Sequence, residues 1–267
     1  MKQHIVKPGS KIKLSEWDLN DTGNFKGGKE EGLAEIAELT KKLDELQEVL
    51  YAEHKHKVLV VFQAMDTGGK DGAIRRVFSG INPQGVRVAN FKAPTSEELD
   101  HDYLWRIHKM TPAKGEITIF NRSHYEDVLV VRVHNIVPPE IVEKRYDQIN
   151  AFEHHLAENG TTILKFYLHI DLDEQKERLQ ARLDDPAKHW KFRLGDLEER
   201  KLWPKYMEAY EEALSKTSTD DAPWVIVPAN RKWYRDLVIS SILVKTLEDL
   251  NMKVPESEED LKGVVVE

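Results

Sequence analysis

The 267-residue sequence contains no cysteine, which removes a disulfide framework, a thiolate zinc site, an iron–sulfur cluster and a cysteine nucleophile together. It is also poor in continuous apolar sequence. The densest run, 58–62, is far too short to span a bilayer, and residues 1–8 hold no apolar core of signal-peptide length. These absences lead to the expectation of a soluble, untargeted, cytoplasmic protein. Basic charge is in the minority, with 39 Lys and Arg against 47 Asp and Glu for a formal net charge of -8. That balance argues against broad binding to nucleic acid or to anionic membrane, while leaving room for a local basic groove. What is present, 40% hydrophobic and 32% charged residues, is the balance of a packed globular chain rather than a disordered one. The length suits one α/β domain with insertions.

Leu33, Ile36, Leu39, Leu43, Leu46 and Leu50 recur at helical spacing and predict an amphipathic helix over 30–53. Apolar, strand-like runs follow at 58–62, 86–91, 117–120, 163–170 and 224–227, separated by helical stretches. Five strands alternating with helices indicate a parallel sheet covered on both faces. Thr95 with Glu98 and Asp171 with Glu174 have the spacing of capping boxes at helix starts. The segment 184–205 differs from the rest in carrying six Lys and Arg against five Asp and Glu in an acidic chain. From 255 onward the tail is acidic and reads as loose or wrapped on the surface.

Directly after the first strand comes Ala64-Met65-Asp66-Thr67-Gly68-Gly69-Lys70-Asp71-Gly72, then a helical stretch over 73–78. A strand, a glycine-rich loop and a helix together turn several backbone N–H groups toward one anion. The helix N-terminus adds partial positive charge and Lys70 a full one. Phosphate binding by Thr67, Gly68, Gly69, Lys70, Asp71 and Gly72 is the chemistry this pattern serves. Against the strict G-x-x-x-x-G-K-[ST] pattern, Ala64 replaces the first glycine and Asp71 the magnesium-binding hydroxyl. The bland alternative is an ordinary βα turn with a surface lysine.

Three ordered motifs resemble the second family of polyphosphate kinases. The family's G-x-D-x-x-G-K loop maps onto 64–70, and its Asp-Arg-Ser-x-Tyr stretch after strand three appears as Asn121-Arg122-Ser123-His124-Tyr125-Glu126-Asp127. Its K-x-W-K lid segment appears as Lys188-His189-Trp190-Lys191-Phe192-Arg193. The resemblance implies a P-loop kinase-like three-layer α/β/α sandwich with a five-stranded parallel sheet. A single domain would then carry an N-terminal extension and helix to 55, a helical lid at about 184–215 and an acidic tail over 255–267. It further implies a homo-oligomer, dimer or tetramer, and reversible transfer between inorganic polyphosphate and nucleotides with magnesium, manganese being a possible substitute.

In such a transfer the charge spreads over the moving phosphoryl oxygens, so cations and positioning dominate catalysis. Lys70 and Arg122 are the natural clamps, and Asp66 is cast as a magnesium ligand, with a base role as runner-up. The family pairs that aspartate with an Asp at the end of strand three, where this sequence has Asn121. The missing negative charge is then expected from Glu126 or Asp127, with Glu126 preferred. The Asn and Glu combination resembles the class that phosphorylates both nucleoside monophosphates and diphosphates, AMP and ADP among them. Lys188, Lys191 and Arg193 of the lid, with Arg75 beside the loop and Arg132 beyond strand three, are expected to line a path for the polyanion. Arg75 and Arg76 are adjacent on a helix and cannot both face one groove. Asn90, Phe91, Lys92 and Thr95 after strand two are placed at the nucleotide, Phe91 being as suited to the core as to a base.

Two other readings compete. One is an ATP-dependent nucleoside monophosphate kinase, whose loop and lid would look alike. The other is a noncatalytic polyanion-binding module, which the acidic balance disfavours. No His-Glu-x-x-His pattern occurs, and the histidines read as surface residues.

Overall fold

The computed structural model describes residues 2–23, 25–257, 259–262 and 264–266. Helix α1 (Lys29–Glu53) buries Ile36, Leu43 and Leu50 along one face, as their spacing predicts. Strand β1 (Lys57–Ala64) follows, its side chains alternating between two cores. The chain continues through α2 (Lys70–Val77), β2 (Val86–Asn90), the short helices α3 (Ser96–Leu99) and α4 (Trp105–His108), β3 (Ile117–Asn121), α5 (Val130–Val133) and α6 (Pro139–Glu158). It ends with β4 (Thr161–His169), α7 (Leu172–Leu183), α8 (Leu194–Lys201), α9 (Trp203–Thr217), β5 (Trp224–Pro228) and α10 (Lys232–Asp249).

All five strands are parallel, in the order β2-β3-β1-β4-β5. Val58, Val60 and Phe62 of β1 enter the core built with α1, α2 and α10, whereas Leu59 and Val61 enter the one built with α6 and α9. Burial on both faces explains why the inner strands read as apolar runs, whereas β2, at the sheet edge, is largely exposed and carries Arg87. The three-layer expectation is met. From β1 the chain goes out to β2, beyond β3, and comes back on the other side to β4. This reversal opens a crevice beyond the carboxyl end of β1, where open α/β sheets bind ligands.

Two sequence expectations are corrected. The lid was placed at about 184–215, but α9 buries Tyr206, Ala209, Tyr210, Ala213, Leu214 and Thr217 in the body of the protein. Its apolar residues recur at three and four, which makes it a core helix. The stretch without buried residues comprises the 3-10 turn Pro186–Lys191 and α8. His4, His124 and His169 are buried rather than on the surface. His169 accommodates this by losing charge: burial pushes its pKa down to about 4, against the pull of the Leu14 carbonyl 3.3 Å from Nε2. The N-terminal extension is structural, since Ile5 bridges antiparallel to Val225 and the Val6 N–H donates to the Trp224 carbonyl at 2.8 Å. It thereby covers the β5 edge of the sheet. The tail from 255 is exposed wherever it is described, with 258, 263 and 267 lying outside the described residues.

Candidate active site

Ala64 closes β1, and the next five residues turn the chain into α2, which starts at Lys70. Two glycines make the turn possible. A Cβ on Gly68 would lie 2.5 Å from the Ala64 Cβ and 2.8 Å from the Met65 carbonyl oxygen, so the loop closes only without one. Gly69 adopts φ +102°, and a Cβ there would meet an Arg235 guanidinium nitrogen at 2.4 Å. Lys70 folds back over the turn and donates from Nζ to the Ala64 carbonyl at 2.8 Å. Burial pushes its pKa below the ordinary lysine value, while Asp66, Glu126 and Asp71 oppose the shift and Arg122 adds to it. The Thr67 hydroxyl and the Gln63 side-chain oxygen Oε1 are buried beside this turn with no protein partner.

The second wall begins where β3 ends. Arg122 takes φ +63°, an uncommon conformation for a residue with a side chain, while its N–H donates to the Phe62 carbonyl at 3.2 Å. The bend delivers its guanidinium to Asp66, with Nη2 to Oδ1 at 3.2 Å. Burial works against its charge, but Glu126 and then Asp66 outweigh burial and raise its pKa. Ser123 caps the following 3-10 turn, His124–Asp127, by accepting from the Tyr125 N–H at 3.1 Å. Within that turn adjacent carboxylates part company. Glu126 faces Arg122 and Lys70, which hold its pKa down against the larger upward push of burial. Asp127 turns to α6, where its Oδ1 and backbone carbonyl both accept from Arg145 Nη1, at 3.1 and 2.9 Å. Of the two carboxylates expected at the reaction, Asp127 is held by Arg145, and Glu126 is the one near Lys70 and Arg122.

Several other expected residues are committed elsewhere. The Asn121 amide nitrogen donates to Asp71 Oδ1 at 2.7 Å and to Asn90 Oδ1 at 2.9 Å, tying together the ends of β2, β3 and the start of α2 rather than meeting Asp66. Phe91 is buried edge-on against Phe120, 4.9 Å between centroids, with the Arg106 guanidinium over its ring, so it belongs to the core and not to a base. Thr95 forms the expected capping box with Glu98 at α3, which occupies its hydroxyl. Lys92 is exposed, as is Arg75 on α2 together with its neighbour Arg76. Arg132 pairs with Glu212 and the Tyr146 hydroxyl in a separate cavity lined by Val142, Glu143 and Glu208, which takes it off the expected polyanion path.

The cations of the segment expected to form a lid stand free of the body. Lys188 pairs locally with Asp185 at 2.7 Å, Lys191 sits over the Trp190 ring at 4.8 Å, and Arg193 is exposed. Trp190 is 76% exposed and is no packing anchor. Asp196, in the first turn of α8, has its pKa raised by burial and by Asp66, so this lid helix reaches toward the loop. Sequence reading missed Asp196, and also Tyr206 and Tyr210 of α9, which lie close enough to Glu126 and Asp66 to feel their charge while the Tyr206 hydroxyl donates to Glu199 at 2.7 Å. It missed Arg178 and Arg235 too, which donate to the Thr67 and Gly69 carbonyls at 3.0 and 3.3 Å from behind the loop. The i, i+4 spacing of the two tyrosines was the one signal available. Among the described residues no three His, Cys, Asp or Glu side chains are grouped to hold a metal, and no helix is long and apolar enough to cross a membrane.

Asp66, Lys70, Arg122 and Glu126 thus form an alternating set of charges at the switch point of the sheet, suited to gripping phosphate groups and balancing the charge they carry. Comparison with known proteins points the same way. The sequence model of the family described as Polyphosphate kinase 2 (PPK2) matches residues 26–255. A protein of Meiothermus ruber named AMP/ADP-polyphosphate phosphotransferase is 58% identical over 267 residues, covering 100% of both chains. A Rhodopseudomonas palustris ADP-polyphosphate phosphotransferase is 46% identical over 96% of this chain and 92% of its own. The crystal structure of Polyphosphate Kinase 2 from Arthrobacter aurescens TC1 superposes with a TM-score of 0.94 at 47% identity, covering 98% of this chain and 93% of that one. The chain belongs to the polyphosphate kinase 2 family.

Proposed function

We propose that this protein transfers the terminal phosphoryl group of inorganic polyphosphate to AMP and ADP, reversibly, at the crevice beyond β1. The observation that carries the reading is the meeting of Lys70 and Arg122 with Asp66 and Glu126 across that crevice. A terminal phosphate oxygen of the nucleotide attacks the end phosphorus of the polyphosphate. One P–O bond forms, the anhydride bond breaks, and the chain leaves one unit shorter. The nucleotide's terminal phosphate has a second pKa near ~6, so the attacking oxygen is largely ionised at neutral pH and needs no strong base. Lys70 and Arg122 hold the transferred group and its neighbour in line, and they offset charge that grows on the equatorial oxygens.

Magnesium fits this site. It takes hard oxygen ligands, one or two carboxylates with phosphate and water completing the shell, and the crevice offers Asp66 and Glu126 without thiolate or imidazole. Asp66 and Glu126 would hold it, and when bound it supplies charge neutralisation on the phosphates. Manganese shares the same oxygen preference. Acceptance of both AMP and ADP is supported by the name of the 58% identical relative, whereas the 46% identical one is named for ADP alone.

The test is incubation of purified protein with magnesium, long-chain polyphosphate and either AMP or ADP as the sole acceptor, with products followed by chromatography. ADP and ATP both forming from AMP, in a preparation free of adenylate kinase, is the expected outcome. Product from ADP alone removes the broader acceptor range. Transfer from ATP to AMP with none from polyphosphate replaces the proposal by an ordinary nucleotide kinase.

A further inference from the structure

The carbonyl oxygens of the phosphate loop are nearly all drawn into the protein. Ala64 O accepts from Lys70 Nζ, Met65 O from the Gly68 N–H at 2.9 Å, and Gly69 O from the Ala73 N–H at 2.9 Å as well as from Arg235. Thr67 O accepts from Arg178, and Asp66 O accepts from Gln175 Nε2 at 3.0 Å. With the carbonyls held back, the N–H groups of the turn are the ones left for an anion. Gln175, Arg178 and Arg235 lie outside all three motifs.

Gln175 differs from the two arginines because its amide is engaged at both ends. It lies on α7 and is 1% exposed. While Nε2 donates to the loop, Oε1 accepts from Arg200 Nη1 at 3.0 Å, and the same Nη1 donates to the Leu172 carbonyl at 2.6 Å. Arg200 belongs to α8, the lid helix that has no buried residue among those described. One buried amide therefore bonds to the lid through its oxygen and to the loop through its nitrogen. Among side chains of this length only glutamine presents a donor and an acceptor from one rigid plane, so both bonds must share its orientation.

We propose that Gln175 is a positioning residue that couples the seating of the lid to the geometry of the phosphate loop. With α8 docked, Arg200 fixes the amide plane, and the amide then holds the Asp66 peptide, next to the carboxylate that pairs with Arg122. When α8 lifts, the plane is released and the loop loses that restraint. The inference rests on reading residues 64–70 as the phosphate loop of the proposed transfer.

The test is a double-mutant cycle on the full-length protein with Gln175→Met, Arg200→Met and both together, reading kcat and KM for polyphosphate and ADP with magnesium, alongside thermal melting. Each single variant is expected to lower kcat by about tenfold with KM changed less than about twofold, because misplacement of a reacting group costs turnover rather than binding. The double variant is expected to be no slower than the worse single, the mark of two residues acting through one link. Gln175→Glu, which keeps an acceptor for Arg200 but has no donor for Asp66 O when ionised, should be as slow as Gln175→Met. Arg200→Lys, on a partly exposed side chain that folding tolerates, should recover most of the turnover lost in Arg200→Met. Multiplying effects in the double variant, unchanged kcat in the singles, or full turnover in Gln175→Glu would each overturn the coupling. Lys70→Ala assayed in parallel separates the two levels. If it still transfers phosphate, the loop reading itself fails and the coupling with it. If it is inactive while the cycle multiplies, the coupling alone is wrong.

Discussion

Replacing Lys165 by Met should destabilise the protein severely and in a pH-dependent way. Lys165 on β4 is fully buried, with Nζ 2.6 Å from Glu153 Oε2, 2.8 Å from the Tyr125 hydroxyl and 2.6 Å from the Thr217 carbonyl. Glu153 Oε1 in turn accepts from the Tyr125 hydroxyl at 2.8 Å and lies 3.1 Å from His124 Nε2. Removing the ammonium leaves a buried carboxylate without its cation, a loss of about 3–5 kcal/mol. At roughly 2–4 °C per kcal/mol for a chain of this size, the melting temperature falls by about 6–20 °C. Although burial pushes the Glu153 carboxyl up, Lys165 and then His124 outweigh it and leave its folded pKa below the ordinary 4.5. In the wild type that depression stabilises above the unfolded pKa and is lost as pH falls through the folded value. In the variant burial acts without the lysine and raises the pKa, so the penalty is present near neutrality and fades on acidification as the group protonates. The gap between the two proteins therefore narrows from pH 7 to pH 5. Calorimetric or urea unfolding at both pH values measures it, and Lys165→Met combined with Glu153→Gln should recover part of the loss. A melting shift under about 2 °C, or a gap that widens on acidification, would refute the reasoning.

The adjacent carboxylates give a sharper functional contrast. Glu126→Gln should lower kcat on the order of 100-fold with little change in melting, whereas Asp127→Asn should cost about 1–3 kcal/mol through Arg145 and leave kcat within about threefold; steady-state kinetics with melting curves reverses the assignment if the pattern is swapped. Lys70→Ala should reduce transfer by a factor of about 1,000 while the melting temperature stays within about 2 °C, and retained turnover would remove Lys70 from the phosphate clamp. Combining Lys188→Ala, Lys191→Ala and Arg193→Ala should raise KM for polyphosphate and flatten its dependence on salt, since exposed cations act through a screened field. An unchanged salt profile counts against a polyanion path along the lid.

The strands other than β2 were legible because parallel strands buried on both faces leave apolar runs, and β2, largely exposed at the sheet edge, was placed by its alternating Val residues. The loop and the Arg122 turn were legible through local patterns whose residues the fold then brings together. What escaped reading depends on partners supplied from afar. Gln175 and Arg178 meet the loop across 109 and 111 positions, and nothing in the local sequence of α7 announces it. The Asp171 cap was legible and is present, yet Glu174 turns to Arg178 at 2.6 Å instead of completing the box. Sequence preferred Glu126 to Asp127 only slightly, and the tight 3-10 turn is what sends one into the crevice and the other to α6. The partners of Phe91, Arg132 and Asn121 were hidden for the same reason: Phe120, Glu212 and Asp71 engage them, and composition does not reveal such contacts.

If residues 186–201 close as the expected lid, the exposed indole of Trp190 is its optical reporter. Of the six tryptophans in the sequence, Trp224 is enclosed in the core, while Trp190 sits 76% exposed under the Lys191 ammonium. Indole emission moves to shorter wavelength when water is withdrawn from the ring, and it is sensitive to nearby charge. A lid that closed over a polyanion would change both surroundings of Trp190 at once while leaving Trp224 untouched. Any motion of residues 186–201 could then be followed by fluorescence on the native chain without a label.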